Sequence, residues 1–117
     1  MYRLKAELFR TLGHPARIRL LEALGAGERT VGELQEALEL DSSGVSQHLM
    51  VLRRQGLLES HKVGTTVRCR VKDPRALRLL AIARELLMAN LEDSRELLSE
   101  LDAETPHRGG RAEGGQA

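Results

Sequence analysis

Apolar residues in this chain recur at two spacings, and the change from one to the other divides it into elements. Leu4, Leu8 and Leu12 fall at i, i+4 and i+8 with Phe9 beside them, the stripe of a short amphipathic helix. Gly13 suits its C-cap, and Pro15 suits the first turn of a second helix running to about Gly25 with Ile18, Leu21 and Leu24 inward. His14 falls in the joint, where a histidine serves as a structural hydrogen-bonding residue. Beyond the break at Gly25-Ala26-Gly27, Thr30 and Glu33 have capping-box spacing and open a third helix that reaches about Leu38. Asp41 and Ser42 cap a fourth, which runs to Gln55 and is closed by Gly56. On its helical wheel Val45, Leu49 and Leu52 share one face while Ser43, Gln47, Met50 and Arg54 project from the other.

The period then shifts to two. Residues 57–63 and 66–72 are β-rich runs around Gly64-Thr65 and predict a β-hairpin. In the second run Val67, Cys69 and Val71 alternate with Arg68, Arg70 and Lys72, so one face packs and the other shows three cations. Asp73 and Pro74 open the longest helix, running to about Leu101, with Leu77, Leu80, Arg84, Leu87, Leu91, Ser94, Leu98 and Leu101 at heptad a and d positions.

These elements predict a mainly α chain with a small β-hairpin. The third and fourth helices, joined by a few residues, have the helix-turn-helix arrangement, and the basic hairpin that follows reads as a wing. A last helix of roughly 28 residues spans about 40 Å, longer than the core of one small domain can cover, so part of its seam meets another subunit. The expected homodimer is held through the first and last helices, by Leu4, Leu8, Phe9, Leu80, Leu87, Leu91 and Leu98. Residues 1–101 form one domain on this reading, and residues 102–117, polar and without apolar period, a disordered tail.

Composition narrows the chemistry. With 117 residues and 2% aromatics, the chain builds one core from Leu, Ile, Val and Ala. Cys69, the single cysteine, has no partner for an internal bridge, and no targeting or spanning segment stands out, which predicts a cytoplasmic protein away from membranes. The net charge of +1 conceals segregation. From Ser42 to Lys72, Arg53, Arg54, Lys62, Arg68, Arg70 and Lys72 face Glu59 alone; from Glu85 to Glu104, seven acids face Arg95 alone. A polyanion approaches the first segment and avoids the second. Ser43, Ser46 and Gln47 lie in the first turns of the fourth helix, where short polar side chains meet phosphates and base edges in a major groove. No nucleophile–base pair, phosphate-cradling glycine loop or cofactor fingerprint is found, which argues against an enzyme.

Three stretches resemble one family. LFRTLGHPARIRLL (residues 8–21), VSQHL (45–49) and LRRQGL (52–57) are similar to motifs of the ArsR/SmtB winged helix-turn-helix transcriptional regulators, and the likeness runs from Leu4 to Leu101. The resemblance implies a homodimer that binds duplex DNA at an imperfect inverted repeat near a promoter, as a repressor in preference to an activator. It carries the DNA-contacting positions onto Ser43, Ser46, Gln47 and His48, with the wing represented by Lys62, Thr65, Thr66 and Arg68. Arg54, at the end of the same helix, joins them on the basic surface. His48 flanks the buried face, so packing and phosphate contact suit it as well as base reading. The wing tip departs from the pattern: Gly64-Thr65-Thr66 stands where many members have Gly-Arg.

Many relatives sense metal through a Cys-Val-Cys motif or through acids and histidines of the last helix. Here Thr30 and Gly32 replace the two thiolates, which excludes soft-metal sensing of that type. A nickel or zinc site would lie between subunits and combine His14, His48, His61, Cys69 or His107 with acids of the last helix such as Glu92, Asp93 or Glu96. A metal-responsive regulator, a regulator served by a separate sensor protein, and a protein-interaction module without DNA binding stand as the alternatives.

Overall fold

The computed structural model describes residues 1–104, and the tail expected beyond Glu104 lies outside them. The described elements are α1 (Tyr2–Leu12), α2 (Pro15–Gly25), β1 (Arg29–Thr30), α3 (Val31–Leu38), α4 (Ser42–Arg54), β2 (Leu58–Val63), β3 (Thr66–Val71) and α5 (Arg75–Glu104).

Each of the three middle helices starts where a side chain satisfies a backbone N–H that the first turn leaves unpaired. His14, in extended conformation, accepts from the Ala16 N–H through Nδ1 at 3.2 Å, and Pro15 supplies the preset first-turn φ. Thr30 and Glu33 form the full capping box: Thr30 Oγ1 accepts from the Glu33 N–H at 3.1 Å, and Glu33 Oε1 from the Thr30 N–H at 2.8 Å. That backbone hydrogen bond is the main reason the Glu33 carboxyl sits below its usual range. Asp41 Oδ1 accepts from the Gly44 N–H at 3.1 Å and starts α4. A Cβ on Gly44 would stand 2.6 Å from that same oxygen, so the cap and the glycine belong together. α3 ends at Glu39, whose φ of 55° lies in the left-handed region and turns the chain toward α4 within three residues.

The core is aliphatic. Leu12, Leu20, Leu21, Leu24, Leu34 and Leu38 from the first three helices pack with Val45, Leu49 and Leu52 of α4, with Leu57, Leu58 and Cys69 of the hairpin, and with Ala76. The α4 stripe is the one expected. In α2, however, Leu20 is wholly buried and Ile18 only partly so, because this helix is covered on more than one side and a single stripe does not describe it.

The expected hairpin is present, and β1, which was not expected, extends it to a three-stranded antiparallel sheet of order β1-β3-β2. β1 pairs Arg29 with Cys69 and Thr30 with Arg68. Two residues are too few to show a period, and their partner strand lies some forty positions away. β2 and β3 pair from Leu58↔Val71 to Val63↔Thr66, and Gly64 makes the turn at φ +66°.

The chain divides into two compact units, one of residues 1–80 and one beginning at Ala81. In the first, Leu8 and Leu80, both expected at a dimer seam, are partly buried against the unit's own core, whereas Leu4 and Phe9 are exposed. In the second, the helix carries Leu87, Leu91 and Leu98 more than half exposed, together with Ile82, Leu86 and Leu97. α5 runs three residues past the expected end at Leu101. No described helix is long and apolar enough to cross a membrane.

Candidate nucleic-acid interface

Because Val45, Leu49 and Leu52 anchor α4, the opposite face is turned outward. Ser43, Ser46, Gln47 and Arg54 are all exposed. Ser43 Oγ lies 3.5 Å from Asp41 Oδ2, while Ser46, Gln47 and Arg54 make no side-chain hydrogen bond or ion pair among the described residues. Between this face and the sheet runs a groove of about 370 Å³, walled by Ser46, Gln47, Met50 and Arg53 and floored by Ser60, Val67 and Cys69, with no acid in its lining. Arg53 reaches across it to donate to Ser60 Oγ at 3.4 Å. The motif resemblance did not single out Arg53; its position on the groove depends on β2.

His48 lies to one side of that face. It is half-buried, and its ring centroid is 4.5 Å from that of His14, the planes tilted by 57°. Burial, then the neighbouring His14 and Arg17, holds its imidazole below the ordinary histidine range. The contact ties α4 to the start of α2. His14 Nδ1 is engaged by the Ala16 N–H, so that nitrogen is not free to hold a metal ion. Among the described residues, no three His, Cys, Asp or Glu side chains converge as a metal site would require. His107 lies outside the described residues.

The wing has two unlike faces. Directly opposite residues of an antiparallel pair share a face. Ser60 and Cys69 line the groove, so Lys62 and Val67, two positions on, lie on the α4 side; His61, Arg68, Glu59 and Arg70 lie on the other. Lys62 is exposed and without an ion pair among the described residues, and Thr65 is exposed at the tip. Thr66 Oγ1 instead donates to the Val63 carbonyl at 2.9 Å. On the far face, Arg68 Nε donates to Glu28 at 2.8 Å and Arg70 Nε to Glu59 at 2.8 Å. The alternation of the strand is as expected, but two of its three cations have counter-ions within the protein. Only Lys72 of the three stands without one among the described residues.

Known proteins share this arrangement. A helix-turn-helix domain family matches residues 12–61. Over 104 residues the chain is 44% identical to the uncharacterized HTH-type transcriptional regulator Rv0081 of Mycobacterium tuberculosis, covering 88% of this chain and 91% of that protein. The crystal structure of Rv0081 aligns with a TM-score of 0.75 at 46% identity, over 80% of this chain and 94% of that one. The transcriptional repressor BigR from Xylella fastidiosa aligns at 0.65 and 32% identity, over 69% and 83%. A homodimeric winged helix-turn-helix DNA-binding domain from Mycobacterium bovis, a possible ArsR-family regulator, aligns at 0.67 and 26% identity, over 74% and 80%. Helix order, capped helix-turn-helix, wing and relatives agree: the chain belongs to the ArsR/SmtB family of winged helix-turn-helix transcriptional regulators.

Proposed function

We propose that the chain acts as a cytoplasmic homodimer that reads an inverted-repeat operator in duplex DNA and represses transcription from it. The observation that carries this reading is the outer face of α4. Ser43, Ser46 and Gln47 are exposed, two of them unpaired, on a helix anchored rigidly from behind and beside an acid-free groove. Such a helix enters a major groove, where Gln47 can pair with adenine through both its amide atoms and the serines can meet base edges or phosphate. Arg54, Lys62 and Thr65 flank it and supply backbone contacts, and Arg53 joins them from the groove. His48 holds the helix in place and contributes phosphate contact at most. Catalysis has no part in this reading.

The homodimer is supported by the apolar surface left on the first and last helices. Leu87, Leu91 and Leu98 of α5 and Leu4 and Phe9 of α1 are more than half exposed, a cost that a second copy removes. Charge sets the direction. Arg75 is paired with Asp73 at 2.7 Å, but Arg78 and Arg84 occupy the first part of α5 and Glu92, Asp93, Glu96 and Glu100 the later part, so antiparallel pairing joins unlike charges and parallel pairing joins like ones.

Fluorescence anisotropy on the duplex upstream of the protein's own coding region, against a random duplex of equal length, tests the reading. Operator binding at least a hundredfold tighter than random binding is expected, in line with specific regulators. Equal affinity for both duplexes contradicts it.

A further inference from the structure

We infer that Glu28 is a positioning residue of the wing: one carboxylate, in the connection between α2 and β1, is bonded to β3, lies against β2, and sets where Lys62 and Thr65 stand relative to α4. The inference rests on the DNA-binding reading above. Glu28 Oε2 accepts from Arg68 Nε at 2.8 Å and lies 3.6 Å from His61 Nε2, while Oε1 lies 3.7 Å from the Arg70 guanidinium. Arg68 and Arg70 belong to β3 and His61 to β2, so a single group of the body reaches both strands. Gly27, at φ +145°, makes the backbone turn directly before it, a conformation that L side chains rarely adopt.

The place of this contact gives it leverage. The Thr30↔Arg68 rung is the last at which β1 supports the sheet. Beyond it, residues 62–67 are exposed and continue as a two-stranded ribbon, which is marginally stable on its own. The carboxylate therefore grips the hairpin where its support ends, one rung before Lys62↔Val67. Glu28 is 30% and Arg68 33% exposed, so the pair is partly shielded from the screening that weakens fully exposed ion pairs. Arg68 lies on the sheet face away from the α4 groove, with its Nε engaged. Its contribution to DNA affinity then runs through the position of the wing and not through a phosphate of its own.

The test compares Glu28→Gln and Arg68→Gln in two backgrounds, the full wild-type chain and a chain carrying Lys62→Ala and Thr65→Ala, by anisotropy on the same operator duplex. In the wild-type background each substitution should weaken binding about fivefold, the size of a coupled contact, and in the second background by less than about twofold, because the groups being positioned are gone. General destabilisation of the fold would persist in both backgrounds. Amide hydrogen exchange on the free protein should show residues 62–67 exchanging faster in Glu28→Gln while α4 is unchanged. Arg68→Gln weakening binding equally in both backgrounds, with the salt slope reduced by about 0.9, would identify a direct phosphate contact and overturn the inference. Unchanged or tighter binding by Glu28→Gln overturns it too, as does unchanged exchange in the hairpin. Failure of the wild-type protein to bind any duplex defeats the DNA-binding reading itself and this inference with it, and is told apart because it needs no variant.

Discussion

α4 and the wing, the two elements proposed to meet DNA, carry their polar groups in opposite ways. On α4, Ser46, Gln47 and Arg54 are exposed and free of partners among the described residues, held ready by a buried stripe behind them. On the wing, Arg68 and Arg70 are engaged by Glu28 and Glu59, and Lys62, on the α4 side, has no ion-pair partner among the described residues. A count of basic residues along the chain treats both as available charge. The difference shows that a basic residue counted in the sequence can already be paired with a carboxylate of the same protein, as Arg68 and Arg70 are.

The comparison can be broken or sharpened by substitution. The largest effect is expected beneath α4: Leu52→Ala, at a wholly buried position, should cost about 2 to 5 kcal/mol of stability in urea titration at fixed protein concentration, because the cavity is only partly refilled. Gln47→Ala should lose about 1 to 3 kcal/mol of discrimination between operator and random duplex with random binding unchanged. Equal losses on both would remove it as a base reader. Asp41→Ala should destabilise the chain by about 1 kcal/mol through loss of the Gly44 cap, read by the same titration.

The contrast within the wing is smaller and is read from salt dependence. Lys62→Ala should reduce the slope of log affinity against log salt by about 0.9 and Arg70→Ala should leave it unchanged. A reduced slope for Arg70→Ala would show that its pair with Glu59 opens on binding. The smallest effect concerns His48. Its folded-state pKa is depressed, chiefly by burial, so the unfolded chain takes up the proton first. The stability involved is fully present above the unfolded value near 6.5 and is lost as pH falls through the folded value. Thermal melts between pH 7 and pH 5 should therefore fall less for His48→Gln than for the wild type.

What could be read in advance divides along the same line. Capping residues act within three positions, so the starts of α2, α3 and α4 were legible from His14-Pro15, Thr30–Glu33 and Asp41. The exposed face of α4 was legible because helical geometry is local. β1 was not, since two residues carry no period. Glu28 was not either: it is one acid in a short connection, and its role depends on a strand pairing that brings it to Arg68, forty positions away. Leu8 and Leu80 fit the seam by spacing, but spacing does not say whether an apolar residue meets its own core or another chain.

The most direct measurement is the affinity of the wild-type protein for the duplex upstream of its own coding region at two salt concentrations, beside a random duplex, with and without nickel or zinc. The account predicts tight operator binding that weakens steeply with salt and exceeds random binding by at least about a hundredfold. A change on adding metal would identify the signal, and indifference would direct the search to a separate sensor. Binding that is absent, or equal on the two duplexes, would contradict the claim that the outer face of α4 reads sequence.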